Sequence, residues 1–246
     1  MKFSTYLIIV LSFLTACKKP EDRSCFKSAG EETSMEIKLD AFDKLYLREH
    51  LVYELIQDST DKVVISGGKN LIGYVSAKVS DGLLEISNKN RCSFLRSYKK
   101  KIRVEIHFTH LINIHFEGNE PMTNKGKLKF DWLTFLISDG AGSVFLRMDA
   151  QSIHAIIGHG WGDFTFLGSA EYALLNIRSN GYCDMYGMTV SDSLTIVSNT
   201  QGDVKINASG AKLKAQTLAD GNIYYKGIPN LIQFERFSNG KLINAN

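Results

Sequence analysis

The sequence predicts an all-β protein, a right-handed single-stranded parallel β-helix built of rungs of about 20 residues. Three observations point there. A small residue followed by serine, aspartate or asparagine recurs in DGAGSVFL (139–146), HGWGDFTF (159–166), NGYCDMYG (180–187), NTQGDVKI (199–206) and ADGNIYYK (219–226). Counted on the polar residue, Ser143, Asp163, Asp184, Asp203 and Asn222 stand 20, 21, 19 and 19 residues apart. Between them a second apolar segment recurs, as LTFLI (133–137), IHAII (153–157), LLNI (174–177), LTIV (194–197) and LKAQTL (213–218). The apolar residues alternate with polar ones and glycines punctuate every unit, which excludes helical repeats.

From the N-terminus, Lys2 precedes an apolar run from Phe3 to Leu14. That run is short of the roughly 20 residues a bilayer span needs, so residues 1–16 read as a signal peptide. The peptide ends in Leu14-Thr15-Ala16-Cys17, which resembles a bacterial lipobox. The resemblance implies cleavage after Ala16, a diacylglycerol thioether on the Cys17 sulfur and acylation of the new amino group. Several acyl chains on one residue give stable membrane attachment where one gives marginal attachment. Lys18 stands where an aspartate would resemble an inner-membrane retention signal, so the outer membrane of a Gram-negative bacterium is expected, facing periplasm or cell surface. Residues 17–30 form a polar tether, and Lys19-Pro20-Glu21-Asp22 weakly resembles the surface-export signals of some diderm lipoproteins.

The rest, 31–246, carries no Pro/Ser-rich linker and reads as one β-helical domain. Its first half alternates less regularly, in IKLDAFDKLYLREHLVYELIQ (37–57), KVVISGG (62–68), LIGYVSAKVSDGLLEIS (71–87) and IRVEIHFTHLINIHFEG (102–118). These segments are expected to be wider rungs continuous with the later ones, atypical because a solenoid end exposes a sheet edge. In the regular half, Gly162, Gly202 and Gly221 would make sharp corners that need positive φ or close backbone approach. Asp163, Asp184, Asp203 and Asn222 would accept N–H groups of their own corner as Asx-turns do. Val144 and Leu146, Phe164 and Phe166, Val204 and Ile206, Ile223 and Tyr225 would then stack inward.

Composition limits function. Lys+Arg 29 against Asp+Glu 26 is too balanced for a nucleic-acid binder. Three further cysteines are expected in an oxidising compartment. A Cys25–Cys92 bridge would pin the start of the domain to its body, although spacing alone leaves connectivity open. Cys183 reads as a small buried residue at a corner position where neighbouring repeats place glycine.

Several segments together resemble the bacterial family described as putative auto-transporter adhesin, head GIN domain. They are CFKSAGE, FDKLYLREHLVYELIQ, KNLIGYVSAKVSDGLLEISNKNRCSFLRS, the Gly-Asp repeats and GDVKINASGAKLKAQTLADGNIYYKGIPNL, together about residues 25–245. The resemblance implies a β-helical, secreted or lipidated envelope protein with an adhesive role, and it supplies no catalytic residues. It also adds weight to pairing Cys25 with Cys92, both of which fall in family-like segments.

Chemistry elsewhere is sparse. In VEIHFTHLINIHF, His107 and His115 alternate with the inward Ile106, Phe108, Ile114 and Phe116, and His110 falls in a turn. Zinc would need three or four converging ligands, and an Asp column interrupted by Ser143 and Asn222 is a poor calcium cage. No metal or other cofactor is expected. Arg96, Lys99, Lys100, Lys101 and Arg103 form a solvated face or a protective sheet edge, or else a contact for anionic glycans. Outward positions Thr165, Tyr186, Lys205 and Tyr224 in one column, and Thr134, His154, Thr195 and Lys214 in another, show no cluster fit for catalysis; they suit shallow carbohydrate or protein contact and equally an inert exposed sheet, as in a purely structural envelope component. The expected function is a non-catalytic, lipid-anchored adhesion or envelope-interaction module. The alternative is a polysaccharide lyase, hydrolase or glycan-binding protein on the same scaffold.

Overall fold

The computed structural model of the chain describes residues 28–90 and 101–246. Cys17, Cys25, Cys92, Arg96, Lys99 and Lys100 lie outside these residues.

Four long strands form the middle of the molecule: β10 (Leu128–Ile137), β11 (Ser143–Ile157), β12 (Asp163–Ser179) and β13 (Tyr182–Thr200). Each pairs in parallel with the strand one turn further on, Leu128 beside Met148, Ser143 beside Asp163 and Tyr172 beside Ser193. The later turns are divided into β14 (Val204–Asn207), β15 (Lys212–Thr217), β16 (Ile223–Lys226), β17 (Leu231–Arg236) and β18 (Leu242–Asn244). The ladder continues through them, with Ser193 beside Lys212, Lys212 beside Leu231, and Ile223 beside Leu242. This is a parallel β-solenoid. Partners one turn apart are 18 to 21 residues apart in sequence. Paired strands lie about 4.8 Å apart, so equivalent side chains form columns along the solenoid.

The period-two alternation decides which columns enter the core. Leu133, Ile153, Ala173, Leu194 and Leu213 stack inward in one column and are all buried. Phe164 and Phe166 meet at 4.3 Å between ring centroids, and Phe135 packs edge-on to both, at 5.9 and 5.2 Å. Full burial of one such ring contributes about 2–3 kcal/mol. The ladder of β11 with β12 runs over residues 143–150 and again over 152–157, with a break at residue 151. Phe135, in register with Ala155, packs against Phe164 and Phe166, in register with Val144 and Leu146, so the two segments face each other across the core. Gly168, at φ +123, makes the bend beside Met148, whose carbonyl oxygen occupies the space a Cβ would need.

The N-terminal half departs from the expected simple succession of rungs. It contains β1 (Glu32–Lys38), β2 (Lys44–Leu47), β3 (Leu51–Gln57), β4 (Lys62–Gly68), α1 (Lys69–Ile72), β5 (Val75–Ser80), β6 (Leu83–Asn88), β7 (Ile102–Phe108), β8 (Asn113–Phe116) and β9 (Met122–Lys125). The turn made of β2 and β3 stacks between two others. On one side Lys44 pairs with Leu83 and Leu51 with Ile102; on the other Lys44 pairs with Asn113 and Tyr53 with Met122. Spatial order therefore differs from chain order: the later β6–β7 turn lies outside the earlier β2–β3 turn. Three antiparallel pairings then finish that end, β4 on β7, β1 on β4 and β5 on β6. Antiparallel return strands cover the edge that a further parallel rung would only reproduce. The short α1 adds Leu71 and Ile72 to the core. Lys69 and Asn70 donate backbone N–H groups to Glu31 and Ala29, tying the start of the described chain to this cap.

Amide side chains also substitute for strands, as Asn124 does beside Arg147 and Asn246 beside Gly227. Beyond β9 the Gln57 amide donates to the Lys129 carbonyl at 3.0 Å and accepts the Lys129 N–H at 2.7 Å. It meets the backbone of β10 as a neighbouring peptide would.

Candidate binding face

The glycine corners bring successive turns into close backbone contact. A Cβ on Gly202 would run into the Gly181 carbonyl, one on Gly221 into that of Gly202, and one on Gly240 into that of Gly221. Close approach, and not positive φ, is the reason for glycine at these corners. At Gly162 the obstacle is the Ile137 side chain.

The polar residues beside them link turn to turn. Ser143 Oγ donates to Asp163 Oδ1 at 2.9 Å. Asp203 Oδ1 accepts the backbone N–H of Asn222 at 3.1 Å, and Asn222 Oδ1 accepts that of Lys241 at 3.0 Å. These bonds run between rungs and not within one corner, which corrects the Asx-turn expectation for Asp203 and Asn222. For Asp184 the place in the rung is corrected, while its local contact is as expected. Asp163 pairs with Tyr182, whereas Asp184 pairs with Thr165 two residues into the strand. There it does make a local turn, accepting the Tyr186 N–H at 3.0 Å. The corner glycine of that rung is Gly181, two positions earlier than the Gly-Asp spacing suggests. It follows that Cys183 takes an inward apolar position, between Phe164 and Val204, and not a glycine position. It is fully buried, and burial pushes its thiol pKa well above the ordinary range. With Tyr182 standing between Asp163 and Asp203, the carboxylates do not adjoin. Among the described residues no group of three or more His, Cys, Asp and Glu side chains is arranged to hold a metal ion.

Outside the core, residues 143–147 and their counterparts carry an aromatic and cationic surface. One outward column runs Phe145, Thr165, Asp184, Lys205, Tyr224 and Ile243. Tyr186 lies beside this column and not in it, since its neighbour Met185 pairs with Ile206. The Lys205 ammonium lies 5.4 Å from the Tyr182 ring centroid and donates to its hydroxyl at 3.4 Å. That hydroxyl raises the Lys205 pKa. Lys226 sits 4.4 Å over the Tyr186 ring, whose phenol is pushed up mainly by burial. Three tyrosines and two lysines thus share one face, with ring surface and cationic charge interleaved.

The opposite sheet presents the column Thr134, His154, Leu174, Thr195, Lys214 and Gln233, so Leu174 interrupts the expected polar series. Trp132 and Tyr172 are exposed two turns apart in the adjoining column.

The histidines do not converge. His107 Nδ1 lies 2.6 Å from Asp58, His154 Nε2 lies 2.8 Å from Asn176 Nδ2, and His110 is exposed in a turn. His115 Nε2 lies 2.6 Å from Ser138 Oγ and 3.2 Å from Glu117 Oε1. A nucleophile relay needs serine and carboxylate on different ring nitrogens. Here both address the same one, and Ser138 also donates to Glu117 directly at 3.1 Å. Two shallow depressions of about 370 and 390 Å³ flank His110, one including Lys129, Asp131 and Asp149, the other Asp43, Lys44 and Asp81. Of the basic cluster, Lys101 pairs with Glu120. Arg103 points outward from a strand paired on both sides, by Val52 and Ser66, so it does not guard a sheet edge. No helix among the described residues is long and apolar enough to cross a membrane.

A stacked, parallel, glycine-cornered solenoid with an aromatic outer face places the chain in the class of β-solenoid proteins. It belongs to the family described as putative auto-transporter adhesin, head GIN domain, whose model matches residues 41–229. Solved structures share the fold. A putative adhesin from Bacteroides fragilis is 22% identical at a TM-score of 0.75, covering 87% of this chain and 97% of its own. A putative adhesin from Parabacteroides distasonis is 22% identical at 0.62, covering 88% and 98%. A protein from the same species described as a putative lipid binding protein is 17% identical at 0.62, covering 88% and 98%. Among curated proteins none matches the chain.

Proposed function

We propose that the chain is a non-catalytic, lipid-anchored adhesion module of the bacterial envelope. In this reading acyl chains on Cys17 hold it in the outer membrane, and the solenoid presents the Tyr182–Tyr186–Lys205–Tyr224–Lys226 face to an envelope or extracellular ligand. The family supports an adhesion-like role. The observation that carries the reading is the make-up of this face. Interleaved phenol rings and ammonium groups offer stacking and anion contact, and the carboxylates beside them, Asp163, Asp184 and Asp203, are spaced apart by Tyr182 and Lys205. A polysaccharide lyase or hydrolase on this scaffold needs acids and a base converging on one substrate position.

Two experiments test it. Screening residues 25–246 on immobilised glycans and envelope fractions, alongside polysaccharide degradation assays, is expected to give binding without product release. Binding should fall at least tenfold in a Lys205→Ala/Tyr224→Ala variant. Release of oligosaccharide products overturns the non-catalytic reading. For the anchor, metabolic labelling with a fatty-acid analogue is expected to mark the wild-type chain and not Cys17→Ser, and an equally labelled variant contradicts it.

A further inference from the structure

The two ends of the solenoid are finished differently. At the N-terminal end β4, β1 and β5 lie antiparallel over the outermost turn, and Leu71 and Ile72 are each only 6% exposed. At the other end β17 is paired on one side by β15, and β18 by β16. No described strand pairs with their other edges. Ile232 continues the inward column of Leu213, yet it is 43% exposed where Leu213 is 0%. Half of the exposed large apolar side chains among the described residues fall in this final stretch: Leu218, Ile228, Leu231, Ile232 and Phe237. An open strand edge with apolar residues behind it is a template for another strand.

We infer that a second copy of this chain covers that end, joined tail to tail about a two-fold axis through β17. The argument for a second copy is that the segment Leu231-Ile232-Gln233-Phe234-Glu235-Arg236-Phe237 complements its own reverse. In an antiparallel ladder, directly opposed residues lie on the same face. Centring the pair on Phe234 sets this inward ring against its copy and joins the two cores. Gln233 then faces Glu235, an amide donor opposite a carboxylate, and Leu231 faces Phe237, two exposed apolar groups. The Arg236 guanidinium is drawn aside to the carbonyls of Ser238 and Asn239, leaving its aliphatic stem opposite Ile232. Neighbouring registers fail. Centring on Glu235 opposes two carboxylates, and centring on Gln233 sets Leu231 against Glu235. A two-fold interface uses one patch twice, so a strand complementary to its own reverse is the feature it requires.

The test measures mass and cross-linking on the full chain. Light scattering is expected to give twice the mass of a single chain at micromolar concentration. Leu231→Lys alone and Phe237→Asp alone should each halve the apparent mass while leaving the circular dichroism unchanged. The double variant places lysine opposite aspartate in both halves of the interface and should restore the dimer. Gln233→Cys/Glu235→Cys should yield a disulfide-linked dimer on non-reducing gels. A monomeric wild type, a dimer indifferent to Leu231→Lys, or cysteines at 233 and 235 that capture a different protein would each overturn the inference.

Discussion

The carboxylate of Asp203 accepts the backbone N–H of Asn222 at 3.1 Å, although 19 residues separate them. The Asn222 amide oxygen repeats the contact with Lys241. Polar corner residues thus hold one turn of the solenoid to the next, at places where the chain leaves the sheet and its N–H groups lack a ladder partner. Asp203→Ala should remove an acceptor and cost about 1–2 kcal/mol. Hydrogen exchange at the Asn222 amide should accelerate. Asp184→Ala, which loses only a bond to Tyr186 in its own strand, should leave that amide unchanged.

Glycine at the corners is a matter of space. Gly221→Ala would press a methyl onto the Gly202 carbonyl, which no side-chain rotation relieves. Thermal melts should show a loss of about 2 kcal/mol or more. Gly73→Ala is the control, because nothing lies within 4 Å of its Cβ direction and its φ is −65°. That change should be neutral or stabilise by up to about 1 kcal/mol.

His154 should make stability depend on pH. Burial lowers its imidazole pKa from the ordinary value of 6.5. Nε2 accepts from Asn176 only while unprotonated. The folded chain therefore binds this proton less readily than the unfolded chain. Stability is full above 6.5 and falls as pH drops through that value and then through the lower folded one. Melting temperatures measured across this range should fall for the wild type and stay flatter for His154→Gln. Asp58 acts in a separate, more acid window. The His107 ring holds its carboxyl at about 2, so that contribution is lost between 3.8 and about 2.

Cys183 should be chemically silent. Its thiol is fully buried between Phe164 and Val204, and burial disfavours the reactive thiolate. Alkylation of the native protein followed by peptide mapping should leave Cys183 unmodified until denaturant is added. Rapid modification under native conditions would contradict its placement.

Sequence showed most of the regular half because its signals are local. Glycine, a polar corner and two alternating segments recur at nearly one spacing, and the columns of Leu133, Ile153 and Leu213 follow from them. The offset at residues 180–187 was hidden because Asp184 follows Cys183 as Asp163 follows Gly162. The true corner glycine, Gly181, is visible only from the pairing of Asp163 with Tyr182. The N-terminal half was less legible for a different reason. Period-two alternation says which face of a strand is buried but not which strand lies beside it. Neither the placing of β2 between β6 and β8 nor the antiparallel return of β4 follows from alternation. Ser198, Thr200 and Thr217 were missed as interior residues. Thr200 and Thr217 satisfy their hydroxyls on the Gly181 and Gly240 carbonyls, contacts that depend on the stacking itself.

The stacking can be measured directly with spin labels on one outward column. Trp132, Ser152, Tyr172, Ser193, Lys212 and Leu231 follow one another through successive turns. Labels at 132 and 212 are four turns apart and labels at 132 and 231 five, so at about 4.8 Å per turn their backbones lie about 19 and 24 Å apart. Pulsed dipolar spectra should give two narrow distributions whose means differ by about one strand spacing. Broad distributions, or a 132–231 distance no longer than 132–212, would contradict a chain that climbs one strand width with every 19 to 21 residues.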